Sequence, residues 1–276
     1  MPAQSQSRVR VAVLGAAGTI APAIVRDLAS SREVAGMSLL DLDGERAAAV
    51  AQEHGGERAI AAEVDARDVD ELATALRGVE VLVNTASYRI NLEAMRACLQ
   101  AGCNYLDLGG LYWMTTRQLE LGRDFGDAGL LAVLGIGSSP GKTNLMAASA
   151  VRELGTAPES IEICAAGRDP TVSPDDGRLH PPYAIQTLLD ELTLAPVVIR
   201  DSASVEIEPL SAGGTVDFGE PIGPAETIYT LHSELATFGE SFSCREASFR
   251  LSLSPPLLAG LRGLVGDASK AKRLLG

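Results

Sequence analysis

Val9-Arg10-Val11-Ala12-Val13-Leu14-Gly15-Ala16-Ala17-Gly18-Thr19-Ile20-Ala21 is the stretch that decides how the rest of the chain is read. A β-branched, apolar run meets a glycine turn, and beyond it Ile24, Val25 and Leu28 recur at helical spacing. Strand, tight turn and helix in G-x-x-G-x-x-A spacing match the turn that binds dinucleotides. Gly15 permits the turn, Gly18 lets backbone approach a pyrophosphate, and Ala21 is small enough for the helix to pack closely on the strand. Ala17, Thr19 and Ile20 complete the candidate phosphate cradle, where the helix N-terminus offers free N–H groups and positive dipole. Glycines also end strands for purely structural reasons, so the context matters: a strand before, a helix after, and Asp41 closing the second strand 20 residues beyond Ala21.

Outward from this turn, short apolar runs alternate with helical stretches. Strands are expected at Val9–Leu14, Met37–Asp41, Ala59–Val64, Val79–Asn84, Asn104–Leu108 and Leu130–Leu134. Thr115-x-x-Gln118 and Asp68-x-x-Glu71 each predict a helix start, with Gly129 and Gly78 as the matching stops, and Leu92, Met95 and Leu99 share a helix face before Gly102. Apolar strands without strict alternation, each followed by a helix, indicate a parallel sheet covered on both faces. After about residue 155 the rhythm changes. Strand-like runs appear at Ile161–Ala166, Pro196–Ile199 and Val205–Ile207, a helix from about Tyr183 to Leu192, and Pro/Gly-rich turns around Pro221–Pro224. Between Ser254 and Gly276, residues Leu257, Leu258, Leu261, Leu264 and Val265 recur at helical spacing. The fold class is therefore α/β: a doubly wound parallel Rossmann sheet followed by a smaller α+β substrate domain. The expected divisions are a flexible tail over 1–8, a dinucleotide-binding domain over 9–145, and a substrate and dimerisation domain over 146–276.

With 276 residues, 46% hydrophobic and 21% charged, the chain has an ordinary globular composition. Its formal charge of −13 repels phosphate backbones and anionic membrane surfaces, which disfavours nucleic acid and membrane as partners. No apolar run approaches a membrane span, and the N-terminus reads as having no secretory leader, so a cytoplasmic protein is expected. Cys98, Cys103, Cys164 and Cys244 form no C-x-x-C pair, and His54, His180 and His232 are scattered, so no metal site is written in the sequence.

Asp41 is placed to accept hydrogen bonds from an adenosine ribose and to repel a 2′-phosphate, which favours NAD over NADP, while Arg46 one turn later could greet that phosphate. Asp65, ending the third strand, reads equally as a contact to the adenine edge or as a loop carboxylate. Asn84-Thr85-Ala86-Ser87 and Asp107-Leu108-Gly109-Gly110 end the fourth and fifth strands at the carboxyl edge, where open α/β sheets bind ligands. Asn84, Thr85, Ala86 and Gly109 are accordingly candidate cofactor contacts. Gly135-Ile136-Gly137-Ser138-Ser139-Pro140-Gly141-Lys142-Thr143-Asn144 ends the sixth. It is not a P-loop, because that spacing needs glycine where Ile136 stands.

The first-strand turn, Val83-Asn84-Thr85-Ala86, the run from Ala97 to Gly110, Pro140-Gly141-x-x-Asn144, Val197–Asp201 and Phe238–Phe242 together resemble the saccharopine dehydrogenase-like family, closest to its lysine 6-dehydrogenase branch. Chains of that family usually continue well beyond this one, so the second domain is expected to be shortened at its C-terminus. Lys142 is not generally a lysine in that branch, and its substrate is not carried over. The resemblance implies an NAD(P)-dependent enzyme that transfers hydride between nicotinamide and the carbon of an amine or imine in an amino-acid-like substrate, working as a homodimer. Such chemistry needs a group that exchanges a proton with the amine. His232 leads because an ordinary imidazole titrates near neutrality, with a buried capping histidine as the alternative. Lys142 is a candidate for binding a substrate carboxylate or is a solvated lysine, and Tyr183 and Glu234 are candidates for positioning substrate or are a core tyrosine and a surface carboxylate. The expectation is that His232, with Lys142, faces the nicotinamide across a cleft between the domains. Two other functions fit the same fold: a non-redox, cyclodeaminase-like reaction with retained NAD, and a regulatory protein that kept the nucleotide site.

Overall fold

The computed structural model describes residues 8–167 and 183–265. Most of the expected N-terminal tail, His180 and the end of the C-terminal helical stretch lie outside the described residues. The chain divides into two compact units, Met1–Lys142 and Thr143–Gly276.

The first unit is a six-stranded parallel sheet of β1 (Val9–Leu14), β2 (Val34–Asp41), β3 (Ala59–Glu63), β4 (Val81–Asn84), β5 (Asn104–Asp107) and β6 (Ala132–Val133). The strand order is β3-β2-β1-β4-β5-β6, which puts the reversal of winding between β1 and β4. Helix α1 (Ala21–Ser30) follows the glycine turn, with Ala21 and Val25 buried against the sheet. Helix α2 (Gly44–Val50) is capped by Asp43, and α3 (Val69–Ala75) by Asp68, whose carboxylate accepts from the N–H groups of Asp70 and Glu71. Helix α4 (Asn91–Ala101) ends at Gly102 in the left-handed conformation. One face of the sheet packs Leu14, Leu40, Leu72, Leu82, Met95, Tyr105 and Phe125; the other packs Val11, Val13, Val25, Met37 and Leu39.

The Thr115-x-x-Gln118 box does not start a helix. Helix α5 (Tyr112–Glu120) begins three residues earlier with Leu111 as its N-cap, and α6 (Gly122–Asp127) follows at once. Thr115 and Gln118 are buried inside α5. Gln118 is taken up by a buried polar network, and tertiary partners override the local capping pattern.

The second unit carries helix α7 (Lys142–Leu154), β7 (Ser160–Ala166), α8 (Ile185–Thr193), β8 (Val197–Arg200), β9 (Ala203–Glu206), β10 (Ala212–Asp217), β11 (Pro224–Tyr229), α9 (Leu235–Phe242), β12 (Glu246–Ser252) and α10 (Pro255–Val265). Its sheet is mixed: β12 pairs antiparallel with β11 and β8 and parallel with β7. Leu188, Leu189 and Leu192 of α8 and Leu257 and Leu261 of α10 pack on Ile228, Phe249 and Leu251 of the sheet. Strands β10 to β12 are additions to the expected elements. No helix among the described residues is long and apolar enough to cross a membrane.

Candidate functional site

At the carboxyl edge of the first sheet, a cleft of about 350 Å³ is lined by Gly15, Ala17, Gly18, Asp41, Asp43, Arg46, Thr85, Ala86 and Ser87. Ala17, Gly18, Asp41, Thr85, Ala86 and Gly15 are six of the residues the sequence put at the cofactor. The backbone is held by specific bonds. Gly15 has φ +79°, and a Cβ there would lie 2.6 Å from the Ala86 nitrogen, so only glycine lets the turn pass the end of β4. Thr85 Oγ1 donates to the Leu14 carbonyl at 2.8 Å, and Gly18 N–H donates to the Gly15 carbonyl at 2.9 Å. The Ala17 peptide is gripped on both sides: its N–H donates to Asp41 Oδ2 at 2.9 Å, and its carbonyl accepts from Arg46 Nη2 at 2.8 Å. Asp41 thus shapes the turn as well as facing the cleft. The result is a cradle whose walls are backbone and small side chains, with two carboxylates, Asp41 and Asp43, and the Arg46 guanidinium at its rim; a dinucleotide's phosphates and ribose fit that donor and acceptor set.

The remaining cofactor candidates stand outside this lining. Thr19 and Ile20 are exposed just before α1, and Gly109 occupies the turn after β5. Asp65 is engaged by Arg67, which donates from Nε and Nη2 at 2.9 and 2.7 Å, and this guanidinium holds the Asp65 carboxyl down at about 2. The Asn84 side chain turns into the core, donating to Asn91 Oδ1 at 2.9 Å and to the Tyr105 hydroxyl at 3.1 Å.

The second unit brings three of the four catalytic candidates into one cluster, in which His232 and Glu234 are buried and Tyr183 stands at the exposed edge. His232 stacks on Phe249 with ring centroids 3.4 Å apart. Its Nδ1 is 3.4 Å from Glu234 Oε2 and its Nε2 is 3.6 Å from Glu191 Oε2. Glu191 also accepts the Tyr183 hydroxyl, and Glu234 Oε1 accepts the Thr143 hydroxyl at 2.8 Å. Burial alone would pull the His232 imidazole down, but Glu191 and Glu234 outweigh it and raise the group to about 10. Burial pushes the Glu234 carboxyl up and the imidazolium wins again, leaving it below its ordinary value; burial, with Glu191 adding to it, pushes the Tyr183 phenol up. With Glu191 and Glu234 on either side, the His232 imidazole is shifted toward its protonated form. Four buried polar atoms here, Thr230 Oγ1, His232 Nε2, Ser233 Oγ and Glu234 Oε2, have no hydrogen-bond partner among the described residues. Glu191 was not among the sequence candidates; the available signal was a pair of acids, Asp190 and Glu191, within the apolar run Leu188, Leu189, Leu192. Lys142, the fourth candidate, is the exposed first residue of α7. The described residues hold no group of three or more His, Cys, Asp or Glu side chains that could hold a metal ion.

Residues 11–133 match the family described as the saccharopine dehydrogenase NADP-binding domain. The chain is 25% identical over 266 residues to a carboxyaminopropylagmatine dehydrogenase of a Synechocystis species, covering 92% of this chain and 65% of that one. It is 30% identical over 112 residues to a carboxynorspermidine synthase of Vibrio alginolyticus, covering 36% of this chain and 27% of that one. In fold it is similar to the glutamate-forming saccharopine dehydrogenase of Saccharomyces cerevisiae, with a TM-score of 0.70 at 17% identity over 93% of this chain and 57% of that one. The chain thus spans less than two thirds of the length of each of these relatives. The domain over residues 11–133, with its sheet order and the cradle at the switch point, is thus similar to the saccharopine dehydrogenase NADP-binding domain and suits a nicotinamide dinucleotide, and the two-part architecture is similar in fold to that of saccharopine dehydrogenase.

Proposed function

We propose that this protein is an NAD(P)-dependent oxidoreductase acting on the CH–NH group of an amino acid or related amine. The observation that carries the proposal is the cleft at the switch point of the first sheet, lined by Gly15, Gly18, Asp41, Thr85 and Ala86 within a domain of a dehydrogenase family. The cofactor supplies hydride exchange at its nicotinamide ring when bound. The protein's part is to hold the substrate and move a proton at its nitrogen. In this proposal His232 does the latter. Its ring, lodged between Glu191 and Glu234 and shifted toward the protonated form, gives its proton to the nitrogen of the amine as that nitrogen gains a lone pair, which favours the imine-reducing direction. Glu191 and Glu234 favour the protonated ring, which recovers its proton from solvent after each transfer, and favour a cationic amine, and Tyr183 orients Glu191. Both curated relatives carry names of amine-containing compounds, which supports the substrate class. Lys142 remains the proposed partner for a substrate carboxylate. The family resemblance supports a homodimer, and four free cysteines fit a reducing cytoplasm. The test is a scan of oxo-acid and amine pairs with NADH and NADPH, and of amino acids with the oxidised forms, read at the reduced nicotinamide absorbance band. Turnover with a pair of this class is the expected result; cofactor binding with no turnover on any pair would mean a regulatory nucleotide-binding protein instead.

We infer a preference for NAD over NADP, because the Asp41 carboxylate at the cleft repels a 2′-phosphate. Arg46 stands beside it as a counterweight, and the matched family is named for NADP, so the preference should be narrow. Asp41→Ala removes a ribose acceptor and also the anchor of the Ala17 N–H. NAD affinity is expected to fall about tenfold or more, with NADP affinity falling less, so that the two converge. Calorimetric titration with both cofactors checks this; unchanged affinities would remove Asp41 from the ribose site.

A further inference from the structure

Asp107 ends β5 with a side chain that is almost wholly buried, and its carboxylate accepts five hydrogen bonds. Oδ1 accepts the N–H groups of Gly109 at 2.9 Å and Gly135 at 2.7 Å. Oδ2 accepts from Gln118 Nε2 at 2.7 Å, the Tyr105 hydroxyl at 3.0 Å and Asn91 Nδ2 at 3.2 Å. A buried carboxylate without partners is strongly disfavoured, whereas one with five aimed donors is a fixed point. That point is where two turns meet. Gly109 and Gly135 have φ of +117° and +71°, and a Cβ on either would lie 2.6 or 2.8 Å from the Pro140 ring. One carboxylate therefore clamps the turn after β5 to the turn after β6, with Pro140 packed on both. The network continues from Asn91 to Asn84, whose Oδ1 accepts the N–H of Ala86 at 3.1 Å, and Ala86 lines the cofactor cleft.

The sheet order assigns these turns a role. In a doubly wound sheet the two halves flanking the switch point each hold one mononucleotide. Asp41 and Arg46 belong to the β1-β2-β3 half, which takes the adenosine end; the β5 and β6 turns belong to the other half, which takes the nicotinamide end. We propose that Asp107 is the positioning residue for the nicotinamide half of the cofactor, holding the Gly109 and Gly135 turns in the one arrangement that receives the ring. This rests on the reading of the cleft as a nicotinamide dinucleotide site.

Asp107→Asn separates positioning from general stability. The amide keeps one acceptor for the glycine N–H groups and turns an NH2 toward Gln118, Tyr105 and Asn91. ADP-ribose, which lacks the nicotinamide, should bind within about twofold of the unmodified protein. NADH affinity should fall about tenfold, with loss of the fluorescence gain on binding. Gln118→Glu added to Asp107→Asn restores a carboxylate facing an amide and should recover most of the NADH-specific loss. Tyr105→Phe, which keeps the ring and removes the hydroxyl that donates to Asp107 and accepts from Asn84, should show the same loss at about threefold, and gives the answer should Asp107→Asn not fold. Equal losses for NADH and ADP-ribose, no loss for either, or a double variant that regains thermal stability without regaining NADH affinity would overturn the positioning role. Failure of the unmodified protein to bind NADH at all would overturn the cofactor reading itself, and this proposal with it.

Discussion

Gly18→Val is expected to lower nicotinamide dinucleotide affinity about a hundredfold or more while the protein stays folded. Gly18 lines the cleft, and even a Cβ there would meet the Gly15 carbonyl at 3.0 Å, closer than most ordinary contacts. Its neighbours are fixed: the Gly15 carbonyl accepts the Gly18 N–H, and the Ala17 peptide is tied to Asp41 and Arg46. The branched side chain can be accommodated only by displacing the turn or by filling the space where phosphate meets backbone. Losing two backbone bonds to a charged phosphate, at roughly 1.5–3 kcal/mol each, accounts for an effect of that size. Gly15 is a poorer target, since any side chain at φ +79° and 2.6 Å from Ala86 also disturbs the end of β4. Titration of NADH into Gly18→Val, with thermal unfolding alongside, checks the prediction. Unchanged affinity in a folded variant would remove the cleft as the cofactor site.

The parallel sheet was legible because its central strands β1 and β2 are largely buried and its strands read as short apolar runs: Val9–Leu14 is found with the expected bounds, and the other five strands are found with shifted ends. The second sheet was legible only in part. Strand β12 carries a clear alternation, Ala247, Phe249 and Leu251 buried with Glu246, Ser248, Arg250 and Ser252 between them, which the sequence reading passed over. Strand β10 gives almost no signal, since Gly213 and Gly214 interrupt it and its side chains are largely exposed. The cradle could be read from spacing because its function is carried by backbone, and Gly15, Gly18 and Asp41 mark where that backbone must go. The buried polar groups could not. Gln118, Asn91, Asp107 and Asn84 meet across four separate elements, and Glu191 reaches His232 from 41 positions away in the chain. Local patterns carry no information about such meetings, which is why Gln118 reads as half of a capping box and why the core partners of the Asn84 side chain are not foreseen.

His232→Asn is expected to reduce turnover roughly 10²- to 10⁴-fold with cofactor affinity unchanged, and to alter the pH dependence of stability in a direction that follows from its surroundings. The imidazole is raised from 6.5 to about 10 by Glu191 and Glu234, so in this range the folded protein binds more protons than the unfolded chain. Stability from the pair is fully present below pH 6.5, declines as pH rises above it, and is gone once pH passes about 10. Removing the imidazolium at neutral pH leaves two buried carboxylates facing each other's charge without a cation, which costs about 3–5 kcal/mol when one partner of a buried pair is deleted. The variant should therefore unfold at lower temperature at pH 7 and lose little more between pH 7 and 10, whereas the unmodified protein, higher at pH 7, should decline toward it. Parallel unfolding curves across that range would mean that the proton is not held between the two glutamates. Full turnover in a folded His232→Asn would instead remove His232 from the chemistry and leave it as packing against Phe249. The two measurements are independent, because stability reads the charge on the ring in the resting protein and turnover reads whether that proton reaches the substrate nitrogen.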